Sequence, residues 1–307
     1  MKQANVFLRE IKAGVLTLVY ITFIGSMFLA NDMALLTFLP LGFMVLQSAK
    51  QEKYMAFAFV MQNIAANLGG MLTPFGNPQN LYIYSKFNIP TGEFMSIMAF
   101  PFALAIAVIT LCCLLFVKSE PLAIENDDVV INRRRAMIYL ALFALSVVIV
   151  FRVIPYQIGL VLVPLALVFL DRDALKKVDY PLLLTFCAFF VFAGNMARIP
   201  FVQEFFGWLL EKNTLLVSAL SCQVISNVPS AVLLSQFTDN YRELLLGVNI
   251  GGAGTLIASL ASLITFREYT KHYPEKTGKY VALFSVCNFG MLALLLSVES
   301  LWLAFMG

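Results

Sequence analysis

The chemistry-bearing residues of this sequence are polar interruptions of long apolar segments. Ala66-Asn67-Leu68-Gly69-Gly70-Met71-Leu72-Thr73 returns as Val248-Asn249-Ile250-Gly251-Gly252-Ala253-Gly254-Thr255. Each copy follows a shorter interruption, Ala30-Asn31-Asp32 before the first and Ser226-Asn227-Val228-Pro229 before the second. A helix broken inside a bilayer leaves N–H groups at one end, where partial positive charge can hold an anion. At its other end the free C=O groups, with Asn and Thr side chains, can coordinate Na⁺. The pattern therefore points to the binding and passage of small ions.

This reading makes Asn31, Asn227, Ser226, Thr73, Thr255, Gly70 and Gly252 the candidate substrate-binding residues. The candidate cation-binding residues are Asp32, Asn31, Asn67, Gly69, Asn227, Asn249 and Gly251. Asp32 is the sharpest single residue, because a carboxylate within the bilayer is costly and marks a functional site by default. Plainer roles compete with each. The asparagines can cap half-helices, the glycine pairs can be close-packing contacts, and Thr73, Thr255 and Ser259 can bond back to the preceding turn. Asn77, Gln79 and Asn80 either line the path or sit at its extracellular exit, and Glu299 reads as structural. No Lys or Arg lies inside either hairpin or either broken helix, so an anion would be neutralised by amide N–H groups, hydroxyls and amides.

Other chemistries find little support. The five cysteines lie singly or adjacent in apolar segments, and the single histidine, His272, lies in a polar loop. That argues against metal, redox or Ser-His chemistry and leaves Na⁺ as the only expected ion. No paired acidic metal motif, nucleophile–His pair or HExxH falls in the spans, so an enzyme is not expected. No cofactor and no nucleic acid is expected either.

The elements that position these residues follow from composition. Of 307 residues 60% are hydrophobic and 13% charged, and the mean hydropathy is +0.84. The solvent is then a lipid bilayer, and continuous apolar runs specify helices rather than barrel strands. The reading is an all-α polytopic membrane protein. A first hairpin covers 13–48, a broken helix 54–84 and a span 96–117. Spans follow near 136–151, 153–170 and 181–197, then an interfacial helix over 200–211. A second hairpin (215–237), a second broken helix (244–266) and a last span (280–305) complete the chain. The first repeat is 1–118, a cytoplasmic loop 119–135 and the second repeat 136–307. Alternating the spans puts all basic residues inside except Lys86, Arg152, Arg198, Lys212 and Arg242. In that layout the two broken helices cross in opposite directions, so the repeats are inverted, and the C-terminus lies outside. A bacterial inner membrane is the expected location.

The stretches FLANDMALLTFLP, AANLGGMLTPFGNPQNLYIY, SNVPSAVLLSQF and VNIGGAGTLIASLASLITF resemble the ion transporter superfamily, the group of citrate-transporter-like proteins, arsenite permeases and sodium/proton antiporters. The resemblance implies two re-entrant hairpins and two discontinuous helices around a central site, in a homodimer working by an elevator-like movement. It implies that Asn31 and Asn227 touch substrate and sodium, and that the glycine pairs with Thr73 and Thr255 face them. Dicarboxylate carriers of this kind have Ser-Asn-Thr at both tips. Here Ala30-Asn31-Asp32 and Ser226-Asn227-Val228 look more like the arsenite-permease and antiporter side. Three helices implied for the first repeat are missing ahead of its hairpin, which reads as a truncated product, half of a split transporter or a shortened gene model. The functional expectation is a secondary active transporter of a small carboxylate or oxyanion, coupled to Na⁺ or H⁺. The alternatives are a Na⁺/H⁺ antiporter and a non-transporting fragment or partner subunit.

Overall fold

Two helices, α1 (Ile11–Phe28) and α2 (Asn31–Ser48), are separated by only Leu29 and Ala30. Both linking residues have extended ψ angles near 145°, and the helices pack against each other. This is the first hairpin of the computed structural model, which describes residues 10–120, 133–176, 178 and 180–306. A 3-10 turn (Glu52–Tyr54) leads into α3 (Met55–Gly69), whose side chains are nearly all buried from Ala58 onward. A second 3-10 turn (Gly70–Leu72) and an unwound stretch to Asn77 separate α3 from α4 (Pro78–Lys86). Pro78 opens α4 at the first turn, where its missing N–H costs nothing. Helix α5 (Thr91–Phe116) has 26 residues, about 39 Å, enough to cross a bilayer.

The chain divides into two units, 1–125 with 192–307 and 126–191. The described part of the smaller unit holds α6 (Arg133–Val150), α7 (Tyr156–Leu170), α8 (Arg172–Lys176) and most of α9 (Tyr180–Met196). Helices α6 and α7 pack together, and the Tyr139 hydroxyl donates to the Asp171 carboxylate at one end. Side chains such as Leu140 and Phe169 are exposed on this unit, as lipid contact requires. The larger unit resumes in the last turns of α9. The expected interfacial helix is α10 (Pro200–Lys212), whose first turn opens with Pro200.

Helices α11 (Thr214–Ile225) and α12 (Asn227–Leu234) form the second hairpin. The second broken helix is α13 (Tyr241–Ile250) and α14 (Leu260–His272), with Gly251 to Ser259 unwound between them. Asn213, Asn240 and Ser259 cap α11, α13 and α14 by accepting a backbone N–H. Helix α15 (Thr277–Met306) is the last span.

Each hairpin packs on its own broken helix and also on the far half of the other one. Helix α2 contacts α14, and α12 contacts α4. That reciprocal packing is what two inverted repeats produce. The outer surface of α5 and α15 is apolar, as at Leu115 and Phe305, and the mainly hydrophobic interior also holds buried asparagines and glutamines. The protein is an all-α polytopic membrane protein.

One detail differs from expectation. The sequence places two breaks in the first broken helix, at 67–70 and at 73–78, but Asn67, Leu68 and Gly69 stay helical and the chain unwinds once, from Gly70 to Asn77. Gly69 serves close packing, since a methyl group there would meet the Phe23 carbonyl oxygen at 2.2 Å. The hairpins differ in size, as their expected bounds do, with arms of 18 and 18 residues in the first and 12 and 8 in the second. Most of the loop assigned to 119–135 lies outside the described residues, as do Lys2 and Arg9.

Candidate functional site

The same hydrogen bonds recur in both repeats. The Asn31 N–H donates to Gly76 O at 3.2 Å and the Asn227 N–H to Ala258 O at 2.9 Å. Gly76 and Ala258 stand at the same place after Asn67 and Asn249. Asn31 Oδ1 then accepts from the Asp32 N–H, and Asn227 Oδ1 from the Val228 N–H, both at 2.9 Å. Thr73 donates to Met27 O at 2.6 Å and Thr255 to Gln223 O at 3.1 Å. Each threonine therefore fastens its unwound segment to the first arm of its hairpin, with its hydroxyl proton spent there.

The two repeats approach each other at Asn67 and Gly252. Asn31 Nδ2 donates to Asn67 Oδ1 at 3.2 Å. A methyl group on Gly252 would lie 3.2 Å from Asn227 Nδ2 and 3.7 Å from Asn67 Oδ1. Asn227 of the second hairpin and Asn67 of α3 thus flank Gly252 of the second break, and Asn31 of the first hairpin holds Asn67. All four are buried. Asn249 lies behind them and donates to Asn80 Oδ1 at 2.6 Å and to Leu245 O at 2.8 Å.

The remaining candidates have structural partners. Gly251 packs its open face on Ala219, whose Cα would sit 2.8 Å from an added methyl. Gly70 faces Asn77 Oδ1 and Gly76 O. Ser226 holds φ at 74°, outside the range comfortable for a side chain, and its hydroxyl reaches Asn227 Oδ1 and Ala258 O, each at 3.4 Å. Asp32 is half-buried in the first turn of α2, and its Oδ1 is buried with no donor among the described residues.

A donor count shows what the site can hold. The N–H groups of Asn227, Val228 and Ser230 are spent on Ala258 O, Asn227 Oδ1 and Ser226 O. Pro229 has none. The N–H groups of Asn31, Asp32 and Ala34 are spent likewise. The backbone at these helix starts, expected to hold an anion, is therefore largely used within the fold. Free capacity sits on side chains, above all Asn227 Nδ2, which has no partner among the described residues. No lysine or arginine is buried among the described residues.

The carbonyl ends of the breaks are also occupied, by two amides. Asn80 Nδ2 lies 3.2 Å from each of Gly70 O, Met71 O and Thr73 O. In the second repeat Gln223 Nε2 donates to Gly251 O at 2.8 Å and lies 3.3 Å from Ala253 O, while its Oε1 accepts the Thr255 N–H at 2.9 Å. Gly254, at φ +131°, lets the loop pass directly over Gln223. Sequence reasoning missed Gln223, although a lone amide four residues before Asn227 in an apolar arm was a usable signal. It also missed a buried trio in which Asn63 donates to Asn288 Oδ1 at 3.3 Å and accepts from Thr265 at 3.4 Å.

The citrate transporter family matches residues 4–241. An uncharacterized transporter of Methanocaldococcus jannaschii is 34% identical over 261 residues, covering 85% of this chain and 72% of that protein. Inner membrane protein YbiR of Escherichia coli K12 is 30% identical over 247 residues, covering 79% of this chain and 66% of that protein. A match across most of the sequence, over a membrane fold whose two hairpins and two broken helices converge on one buried cluster of asparagines, means that this chain belongs to the citrate transporter family.

Proposed function

We propose that this membrane transporter carries a small oxygen-rich anion, a carboxylate or an oxyanion, by secondary active transport coupled to Na⁺ or H⁺. The observation that supports this most is that Gly252 stands between Asn227 and Asn67, and that Asn67 is in turn held by Asn31. Two opposed half-sites that close around one point can expose it alternately to either side. The donors there are neutral amides, so the favoured anion carries little charge or travels with a cation that balances it. Asp32 supplies the coupling group in this reading. A buried carboxylate oxygen without a donor is stabilised by a proton or a metal cation and not by the surrounding helix.

The test is solute uptake into proteoliposomes holding the purified chain, with a Na⁺ or a proton gradient imposed in turn. Candidate monocarboxylates, citrate and oxyanions should separate into one that accumulates against its own gradient and others that do not. Uptake that ignores both ion gradients for every solute would remove the proposal. The unpartnered Asp32 oxygen also favours a second reading, Na⁺/H⁺ exchange without an organic solute. Asp32→Asn separates the two: an exchanger stops, whereas an anion carrier keeps gradient-independent binding of its solute.

A further inference from the structure

The inward face of α15 ends in a carboxyl. Asn288, Met291, Leu292, Leu295 and Glu299 follow one another at helical spacing, and each is buried. Glu299 is only 3% exposed, against 61% for Leu301 on the outer face of the same helix. It stands where the stripe calls for another leucine. From the sequence Glu299 reads as structural because it lies near the end of a span, but the fold turns it inward instead of toward the interface.

Its surroundings do not satisfy an ionised group. Helix α15 packs on α3, α5, α11 and α13, and at its start on the 3-10 turn Pro274–Lys276. Helix α3 has no titratable side chain and α11 only Cys222. Helix α5 carries Glu93 in its first turn, and α13 opens with Tyr241, Arg242 and Glu243. The other titratable groups, from Cys287 back to Glu275 and with Cys112 and Cys113 of α5, lie toward the opposite end of α15. The neighbouring acids have donors: Glu93 accepts the Tyr241 hydroxyl at 2.6 Å and Glu243 the Leu215 N–H at 3.1 Å. Glu299 forms no hydrogen bond and no ion pair among the described residues. The Arg242 guanidinium, on an exposed residue, is the cation whose field reaches it.

A carboxylate in apolar packing, without a donor or a paired cation, is costly, whereas the neutral acid is far cheaper to bury. Two events relieve that cost. A proton neutralises the carboxyl where it stands, or Arg242 swings inward and pairs with the carboxylate. A metal ion finds too few ligands, since no three His, Cys, Asp or Glu side chains gather among the described residues. We propose that Glu299 is a proton-binding site, separate from the hairpin tips and from Asp32. It is neutral with α13 and α15 placed as they are here, and ionised when Arg242 closes on it. The carboxylate gains one proton in the first state and releases it to water in the second, so no other reactant is needed. Helix α13 runs from Arg242 to Asn249 and the second break, so the proton is linked to the placement of that half-helix. That this linkage drives solute movement rests on the transport reading above; the binding of the proton does not.

The experiment is an infrared titration of the purified full chain in detergent, in heavy-water buffer from acid to alkaline pH. The wild type shows a carboxylic acid C=O band that survives to neutral pH, after solvated carboxyls have ionised. Glu299→Gln removes this band, and Asp32→Asn leaves it in place. Arg242→Ala, which takes away the cation that favours the charged form, moves the band's disappearance to higher pH. Should Glu299→Gln not fold, Glu299→Asp keeps a carboxyl on a shorter arm and shifts the band and its midpoint instead. A wild type without such a band at neutral pH would overturn the proposal. So would a band that no change at position 299 alters, or an Arg242→Ala midpoint equal to that of the wild type. The band is read without any flux, so its presence in a chain that carries no solute would remove the transport reading and leave this one.

Discussion

Asn31 holds Asn67 across the gap between hairpin and broken helix, amide nitrogen to amide oxygen, at 3.2 Å. This one bond ties the first hairpin to the point that Asn227 and Gly252 reach from the second repeat. Removing it should separate binding from folding. Asn31→Ala leaves the Asn67 oxygen without its donor, a loss of about 1–3 kcal/mol. Asn227→Ala loses the cap on Val228 N, about 1 kcal/mol, while its free Nδ2 stabilises nothing in the folded chain. Both variants should lose gradient-driven uptake by at least tenfold, with Asn31→Ala the less stable by thermal unfolding.

The glycine pairs should split by position. Gly69→Ala brings a methyl group against a backbone oxygen at 2.2 Å, which cannot yield without moving the hairpin. About 1–3 kcal/mol of stability is lost. Gly252→Ala meets Asn227 Nδ2 and the Asn249 carbonyl oxygen, each at 3.2 Å, and Asn67 Oδ1 at 3.7 Å, all far looser than the contact at Gly69. It should fold within about 1 kcal/mol of wild type and fail to transport, because the methyl group stands where the solute would. Equal stability loss in the two would contradict this arrangement.

Gln223 should be a structural keystone of the second break. Gln223→Leu strips donors from the buried carbonyls of Gly251 and Ala253 and an acceptor from the Thr255 N–H. Each group left bare costs about 1–3 kcal/mol, so the variant should unfold at markedly lower temperature. Amide exchange by mass spectrometry should accelerate first in Gly251–Ser259.

The surface pair Lys53–Glu120 should contribute little. Hydrogen bonding to Lys53 holds the Glu120 carboxyl below the usual carboxylate range, and the same bond raises the Lys53 ammonium. Its contribution is present above the unfolded carboxylate value and is lost as pH falls through the lower, folded one. On the alkaline side it is present below the unfolded lysine value and lost as pH rises through the raised one. The Lys53 side chain is exposed and that of Glu120 partly so, and salt screens the pair. Glu120→Gln should leave Tm unchanged within error at physiological salt across neutral pH; a shift of several degrees would show that the pair is shielded.

Local chemistry made much of this protein legible in its sequence. Apolar run length fixes that the solvent is a bilayer, and Asn, Gly and Pro inside such runs fix where helices stop, because backbone geometry responds to its nearest neighbours. The repeat of Asn67-Leu68-Gly69-Gly70 as Asn249-Ile250-Gly251-Gly252 fixes two matching halves before any packing is known. What tertiary structure decided is which polar group satisfies which. Asn77, Gln79 and Asn80 reach Asn249 over some 170 residues of sequence, and Gln223 closes on carbonyls about thirty residues away. An unpaired amide in a bilayer must find a partner, but a sequence does not say which one is near. Only the folded chain shows that the helix starts expected to meet an anion are already largely hydrogen-bonded, and that the spare capacity near the tips and breaks includes Asn227 Nδ2, Asp32 Oδ1, Asn77 Oδ1 and Gln79 Oε1.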